Sequence, residues 1–173
     1  MDDRVNLRAA FSVSGYLSFG PGFIQYAIEV FPIRLLVLDT LSTASNKGDF
    51  CAKRARHLIE MVDAEATRPI AVFAHHPPFE VLVGPDRIHF ETPAAMERLR
   101  EALQRSGRVV GLFCGHVHRP TTGAVGHIPA TVATSLATTL RKGEYAAELS
   151  HRPTYLLHRF SPDGRFGTET KVV

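Results

Sequence analysis

The chain has no tryptophan and only two cysteines, Cys51 and Cys114. Two thiols exclude any disulfide framework beyond a single pair. Cys114 ends the apolar run Val109-Val110-Gly111-Leu112-Phe113, so it reads as a buried, unbridged core residue. No apolar run approaches the length that spans a bilayer, and the start Met1-Asp2-Asp3-Arg4 has neither the basic nor the apolar part of a signal peptide. The expectation is a cytoplasmic, soluble chain with no membrane partner. Charge of one sign is also lacking: 20 basic and 17 acidic side chains leave a net +3. The basic residues are scattered, which is not the footprint of a nucleic-acid binder. Arg98, Arg100, Arg105 and Arg108 do cluster, but Glu97 and Glu101 interleave with them, as on a solvated helix face.

What is present is an ordinary globular composition, 173 residues with 45% hydrophobic and 21% charged, read as one domain over residues 1–173. The stretch to about residue 24, with Gly15, Gly20, Pro21 and Gly22, reads as loop. Tyr26 to Val30 and Ile33 to Leu38 are β-rich runs around Phe31-Pro32, a hairpin or bulge that delivers Asp39-Thr40 to a strand end. Asp49 is the expected N-cap of a helix with Ala55, Leu58, Ile59 and Val62 on its apolar stripe, broken at Arg68-Pro69. Ile70 to Ala74 is a buried strand. A second helix starts at Thr92-Pro93, turns Met96, Leu99 and Leu103 inward, and stops at Ser106-Gly107 before a strand over Val109 to Cys114. Two apolar strands joined through a helix predict a parallel α/β pair, with any ligands gathered at the carboxyl ends. After residue 120 the pattern turns to short β runs, Thr131 to Ala137, Tyr155 to Phe160 and Phe166 to Val172, the last two forming a hairpin across Ser161-Pro162-Asp163-Gly164-Arg165.

Both buried strands end in histidines: Ala74-His75-His76-Pro77-Pro78-Phe79 and Cys114-Gly115-His116-Val117-His118-Arg119. The prolines fix their own φ and push His76 into an extended conformation, so that strand ends in a rigid turn. Gly115 lets the backbone bend, and His116 and His118 share a face if the chain there stays extended. A single histidine at a strand end most often caps a turn or fills a polar site; two paired motifs on adjacent strands favour metal ligation. His57, on the first helix, His89 and His127, in loops, and His151 and His158, beside the terminal hairpin, have no such pattern around them.

His75-His76-Pro77-Pro78, followed about forty residues later by Gly115-His116-Val117-His118-Arg119, resembles the calcineurin-like metallophosphoesterases, and most closely the bacterial cyclic-nucleotide and glycerophosphodiester phosphodiesterases. The resemblance implies a two-sheet α/β/β/α sandwich, here with parallel βαβ core strands and a β-rich C-terminal section. It implies a dinuclear centre of divalent Mn, Fe or Zn, with His75 and His116 on one metal and His118 on the other. His76, Asp86 and Arg119 would stand behind the ligands or line the substrate pocket. The implied reaction is hydrolysis of a small phosphodiester, a hydroxide held by the metals attacking phosphorus in line.

The family's earlier motifs, an Asp-x-His, a Gly-Asp that supplies the bridging carboxylate and a Gly-Asn-His-Asp/Glu, all precede the region that this chain resembles. Asp2-Asp3-Arg4-Val5-Asn6-Leu7-Arg8 looks like the sequence after Gly-Asn-His, with Met1 in the place of that histidine. The chain therefore resembles the second half of a phosphodiesterase domain. Asp39, Glu80 and Asp86 are the acidic residues expected near the histidines; of these Asp39 is expected to be structural and Asp86 to line a pocket. Two readings follow. One is a metallophosphodiesterase completed by other residues or another chain, the other a non-enzymatic half domain that binds metal weakly or acts by association. An uncovered sheet edge and apolar face predict a homodimer or larger assembly.

Overall fold

Strands β2 (Arg34–Leu38), β3 (Ile70–Ala74) and β4 (Val109–Cys114) are apolar on both faces, and the fold shows why. In the computed structural model, which describes residues 3–14, 22–161 and 163–173, they pair in parallel at the centre of a six-stranded sheet. The order is β1-β2-β3-β4-β6-β5, with β1 (Tyr26–Ile28) and β5 (Thr121–Val125) antiparallel at the edges and β6 (Ile128–Val132) parallel to β4. Helix α2 (Ala52–Asp63) and helix α3 (Pro93–Gln104) carry the crossovers. Both cover one face, where Leu58, Val62, Leu99 and Leu103 meet Leu36, Ile70, Val72, Val109 and Leu112 in the main core. The other face is covered by a separate hairpin, β7 (Thr154–Phe160) and β8 (Phe166–Val172), whose Phe160 and Phe166 pack on Ile33, Ala71 and Phe113. Gly111 is needed here, since a Cβ at that position would lie 3.1 Å from the Phe166 ring.

The predicted core strands, the two crossover helices and the terminal hairpin are all present. Thr92 caps α3 by accepting from the Ala95 amide, with Pro93 in the first turn. Four expectations change. The cap position of α2 is Cys51, not Asp49; the backbone carbonyl of Asp49 instead accepts from Arg54. Residues 4–10 form a helix, α1 (Arg4–Ala10), where loop was expected: Asp3 caps it, and Arg4 anchors it by a two-pronged ion pair to Asp39. Gly15, Gly20 and Pro21 lie outside the described residues. The strand expected over Thr131 to Ala137 is β6, three residues earlier, paired with β5 across Gly126-His127. Finally, His158 lies within β7, its ring against Phe113 at 4.0 Å between centroids. A short helix, α4 (Ala147–Ser150), precedes the hairpin.

This topology fixes the site. Leu38, Ala74 and Cys114 are matched across the three parallel strands, so Thr40, His75-His76 and Gly115-His116 emerge side by side at the carboxyl end of the central strands.

Candidate metal centre

The loops after β3 and β4 are bonded directly, the Gly115 amide donating to the His75 carbonyl at 3.0 Å. The ring of His116 lies 5.3 Å from that of His75 and 4.4 Å from that of His76, centroid to centroid. Ring nitrogens of His75, His76 and His116 all fall within 4.8 Å of one another. His75 and His116 open on a cavity of about 430 Å³ lined also by Asn46, Val83, Asp86, His89, Val117, His118 and Lys142, while His76 lies behind them.

The imidazoles differ in what they have left to offer. His76 is 1% exposed, with Nε2 3.0 Å from the Asn46 carbonyl and Nδ1 2.8 Å from the Thr40 hydroxyl. A carbonyl only accepts, so Nε2 carries the proton, and Nδ1 accepts from Thr40. Both nitrogens are spent, and the ring is locked from beneath by Gly48, where a Cβ would come 2.8 Å from it. His76 is thus a buried prop against which His75 and His116 pack, although its position alone would admit it to a metal cluster. His75 and His116 make no ring hydrogen bond with any described residue and face the cavity. His118 donates from Nδ1 to the Leu140 carbonyl at 3.0 Å, which leaves the Nε2 lone pair directed elsewhere. A backbone carbonyl on the far nitrogen is how proteins fix the tautomer of a ligating histidine.

The surroundings of His75, His76 and His116 disfavour their charged forms. Burial foremost, and then the neighbouring His75, lowers His76 to about 4. Burial followed by the His76 and His75 charges lowers His116 to about 3. Burial also lowers His75, with a smaller push from His118. A site that disfavours imidazolium presents lone pairs at neutral pH, as a divalent cation requires.

The backbone after β4 is strained in proportion. His116 has φ +70° and His118 φ +56°, conformations that non-glycine residues rarely adopt and that collect at functional sites. The Val117 amide closes a three-residue turn on the Gly115 carbonyl at 2.8 Å, with His116 at its tip. The two rings are therefore aimed by two left-handed residues on either side of Val117, not by the extended chain the spacing suggested. Cross-bonds hold His118: its carbonyl accepts from the Lys142 amide at 2.9 Å and from the Tyr145 hydroxyl at 3.3 Å.

Carboxylates are absent from the histidine cluster among the described residues. Burial would raise the Asp39 carboxyl, but hydrogen bonds from Arg4 and the Ile24 and Leu41 amides outweigh it and hold it ionised; its oxygens are occupied as the structural role required. Asp86 lines the cavity and pairs with Lys47 at 3.4 Å. Glu80 lies 3.8 Å from Arg87. The chain's Gly-Asp dipeptide, Gly48-Asp49, sets its carboxylate 3.4 Å from Arg54. Arg119 is exposed, packs beside Gly143, and is not among the residues lining the cavity. The donor set suits one divalent cation. A second, about 3.5–4 Å away in such centres, would need a bridging carboxylate to offset its repulsion.

Sequence reasoning passed over Thr40, Asn46, His89 and Lys142. Thr40 had a signal, because a residue just past β2 must sit beside the end of β3 once the two strands are parallel. His89, 5% exposed, donates from Nε2 to the Val81 carbonyl at 2.7 Å and lies 5.3 Å from the His116 ring; nothing in its neighbours marks it.

No family model matches the chain. It is 27% identical over 177 aligned residues to a probable glycerophosphodiester phosphodiesterase, GpdQ, of Arcobacter nitrofigilis, covering 99% of this chain and 64% of that protein. It is 36% identical over 121 residues to a probable cyclic nucleotide phosphodiesterase of Rhodopseudomonas palustris, covering 67% and 43%. The chain thus spans about half the length of the curated relatives it matches. Among solved structures, a dimetal phosphatase from Danio rerio superposes with a TM-score of 0.69 at 13% identity, covering 98% of this chain and 67% of that one. That similarity shows the fold. The chain is thus similar in sequence to bacterial glycerophosphodiester and cyclic-nucleotide phosphodiesterases, matching part of their length, and shares the fold of a dimetal phosphatase.

Proposed function

We propose that residues 1–173 form the histidine-bearing half of a metallophosphodiesterase domain. In this reading His75 and His116 ligate a divalent Mn, Fe or Zn ion, while His118 offers Nε2 to a second ion. The carboxylate ligands of the complete centre come from residues outside this chain or from a partner chain. The observation that carries the reading is the arrangement at the strand ends: two neutral imidazoles with unspent nitrogens, and a third oriented by a backbone carbonyl. When bound, the metal would supply Lewis-acid stabilisation of charge on the phosphoryl oxygens. The chain's own residues hold the ligands in place, His76 from beneath His75 and His116 and the Leu140 carbonyl from behind His118. The substrate class is a small phosphodiester, of the kind named for the relatives. Asp86 stands on the cavity wall where the ester arm would lie.

A specific observation also favours the second reading, a half domain without activity of its own: no carboxylate joins the histidine cluster among the described residues. The assay that separates them uses bis(p-nitrophenyl) phosphate with added manganese, zinc or iron. The expected result is no turnover by this chain alone; turnover that disappears in His116→Ala would overturn the half-site reading. The lightly covered sheet face, with a groove of about 540 Å³ where Leu136 and Tyr155 are exposed, supports assembly as a homodimer or larger. Sedimentation as a single monomeric species would contradict that.

A further inference from the structure

Lys142 stands apart from the cavity's other lining residues: among those described, it is the one permanent cation. The acid on the wall, Asp86, is neutralised by Lys47. Lys171 likewise has Glu169 and Arg119 lies outside the lining. Lys142 has no acidic partner within ion-pair distance among the described residues, so the cavity wall carries an unpaired cationic side chain beside the imidazoles of His75, His116 and His118.

Its place is fixed through the backbone. The Lys142 amide donates to the His118 carbonyl at 2.9 Å, and that carbonyl also accepts from Tyr145 and, at 3.4 Å, from Thr134. The His118 ring donates to Leu140, two residues before the lysine. Gly143, at φ +96°, turns the chain immediately after it. The segment from Thr134 to Tyr145 is therefore bolted to His118 at both ring and backbone, and it carries Lys142 to the cavity in step with that ring.

We propose that Lys142 is the anion contact of this site, its ammonium taking a phosphoryl oxygen of a phosphodiester bound against His75, His116 and His118. The inference rests on the metal-site reading above and adds a specificity-determining residue to it. An ammonium is a compact point charge well suited to one phosphate oxygen. Placed in a half-enclosed cavity, it favours an anion over a neutral ester.

The test measures orthophosphate binding to the zinc-loaded chain by calorimetry, with zinc affinity titrated separately. Lys142→Met is expected to weaken orthophosphate about tenfold, Lys142→Arg to restore most of that loss, and both to bind zinc as the unaltered chain does. A Lys142→Met protein that binds zinc and holds orthophosphate as tightly as the unaltered chain overturns the lysine assignment and leaves the metal reading standing. An unaltered chain that takes up no zinc overturns the metal reading itself, and this inference with it.

Discussion

The turns after β3 and β4 present histidines to the same cavity by opposite means. After β3 the aim comes from packing: Pro77 and Pro78 set the backbone, His76 is sealed against Gly48 and Phe90, and its two nitrogens are taken by Thr40 and Asn46. After β4 it comes from strain: His116 and His118 sit at positive φ, and His118 is restrained by bonds from the 134–145 segment. In the proposed site a packed prop contributes stability and no ligand atom, whereas the strained residues would contribute ligand atoms at some cost in stability. Adjacent, similar-looking histidines thus divide into support and chemistry, and substitution should affect one property or the other.

The largest effect is expected at the prop. His76→Ala opens a cavity and strands the Asn46 carbonyl and Thr40 hydroxyl, which should cost about 3 kcal/mol of unfolding free energy in urea melts. A loss below 1 kcal/mol would show that this turn is not held by packing at all. Acid comes next. The folded-state pKa values of His76, about 4, and His116, about 3, lie below the unfolded value of 6.5, so the unfolded chain binds more protons. Stability is fully present above about pH 6.5 and falls as the pH drops toward 4, by about 3 kcal/mol from His76 alone. Metal-free protein melted across that range should show the slope, and His76→Gln should flatten it. The smallest stability effect belongs to the strained turn. His118→Gly loses the bond to Leu140 but gains a residue at ease with φ +56°, so its stability should change by less than about 1 kcal/mol. A loss as large as that of His76→Ala would erase the distinction between the two turns.

Much of this was legible in the sequence, for reasons that are local. The apolar runs at Ile70 to Ala74 and Val109 to Cys114, the Thr92-Pro93 start and the paired histidine motifs are all contiguous signals. What escaped depends on contacts distant in sequence. α1 has no buried residue and no apolar stripe, and its Arg4–Asp39 ion pair spans 35 positions. The β5–β6 hairpin was obscured by Pro129, tolerated because β4 pairs with β6 only from Ala130 onward. Spacing suggested that His116 and His118 share a face of extended chain; two positive φ angles give a different geometry, and no residue type there announced it. The division of labour between His76 and His118 likewise depends on Asn46 and Leu140, whose carbonyls carry no sequence signature.

The most direct test of the central claim is a zinc or cobalt titration of the metal-free chain, followed by calorimetry or by cobalt absorption, on the unaltered protein and on His116→Ala and His76→Gln. Saturable binding that falls at least about tenfold in His116→Ala, while His76→Gln loses far less affinity than stability, is the result predicted. Equal affinity in the unaltered chain and His116→Ala, or binding abolished by His76→Gln alone in a protein that still folds, would contradict it.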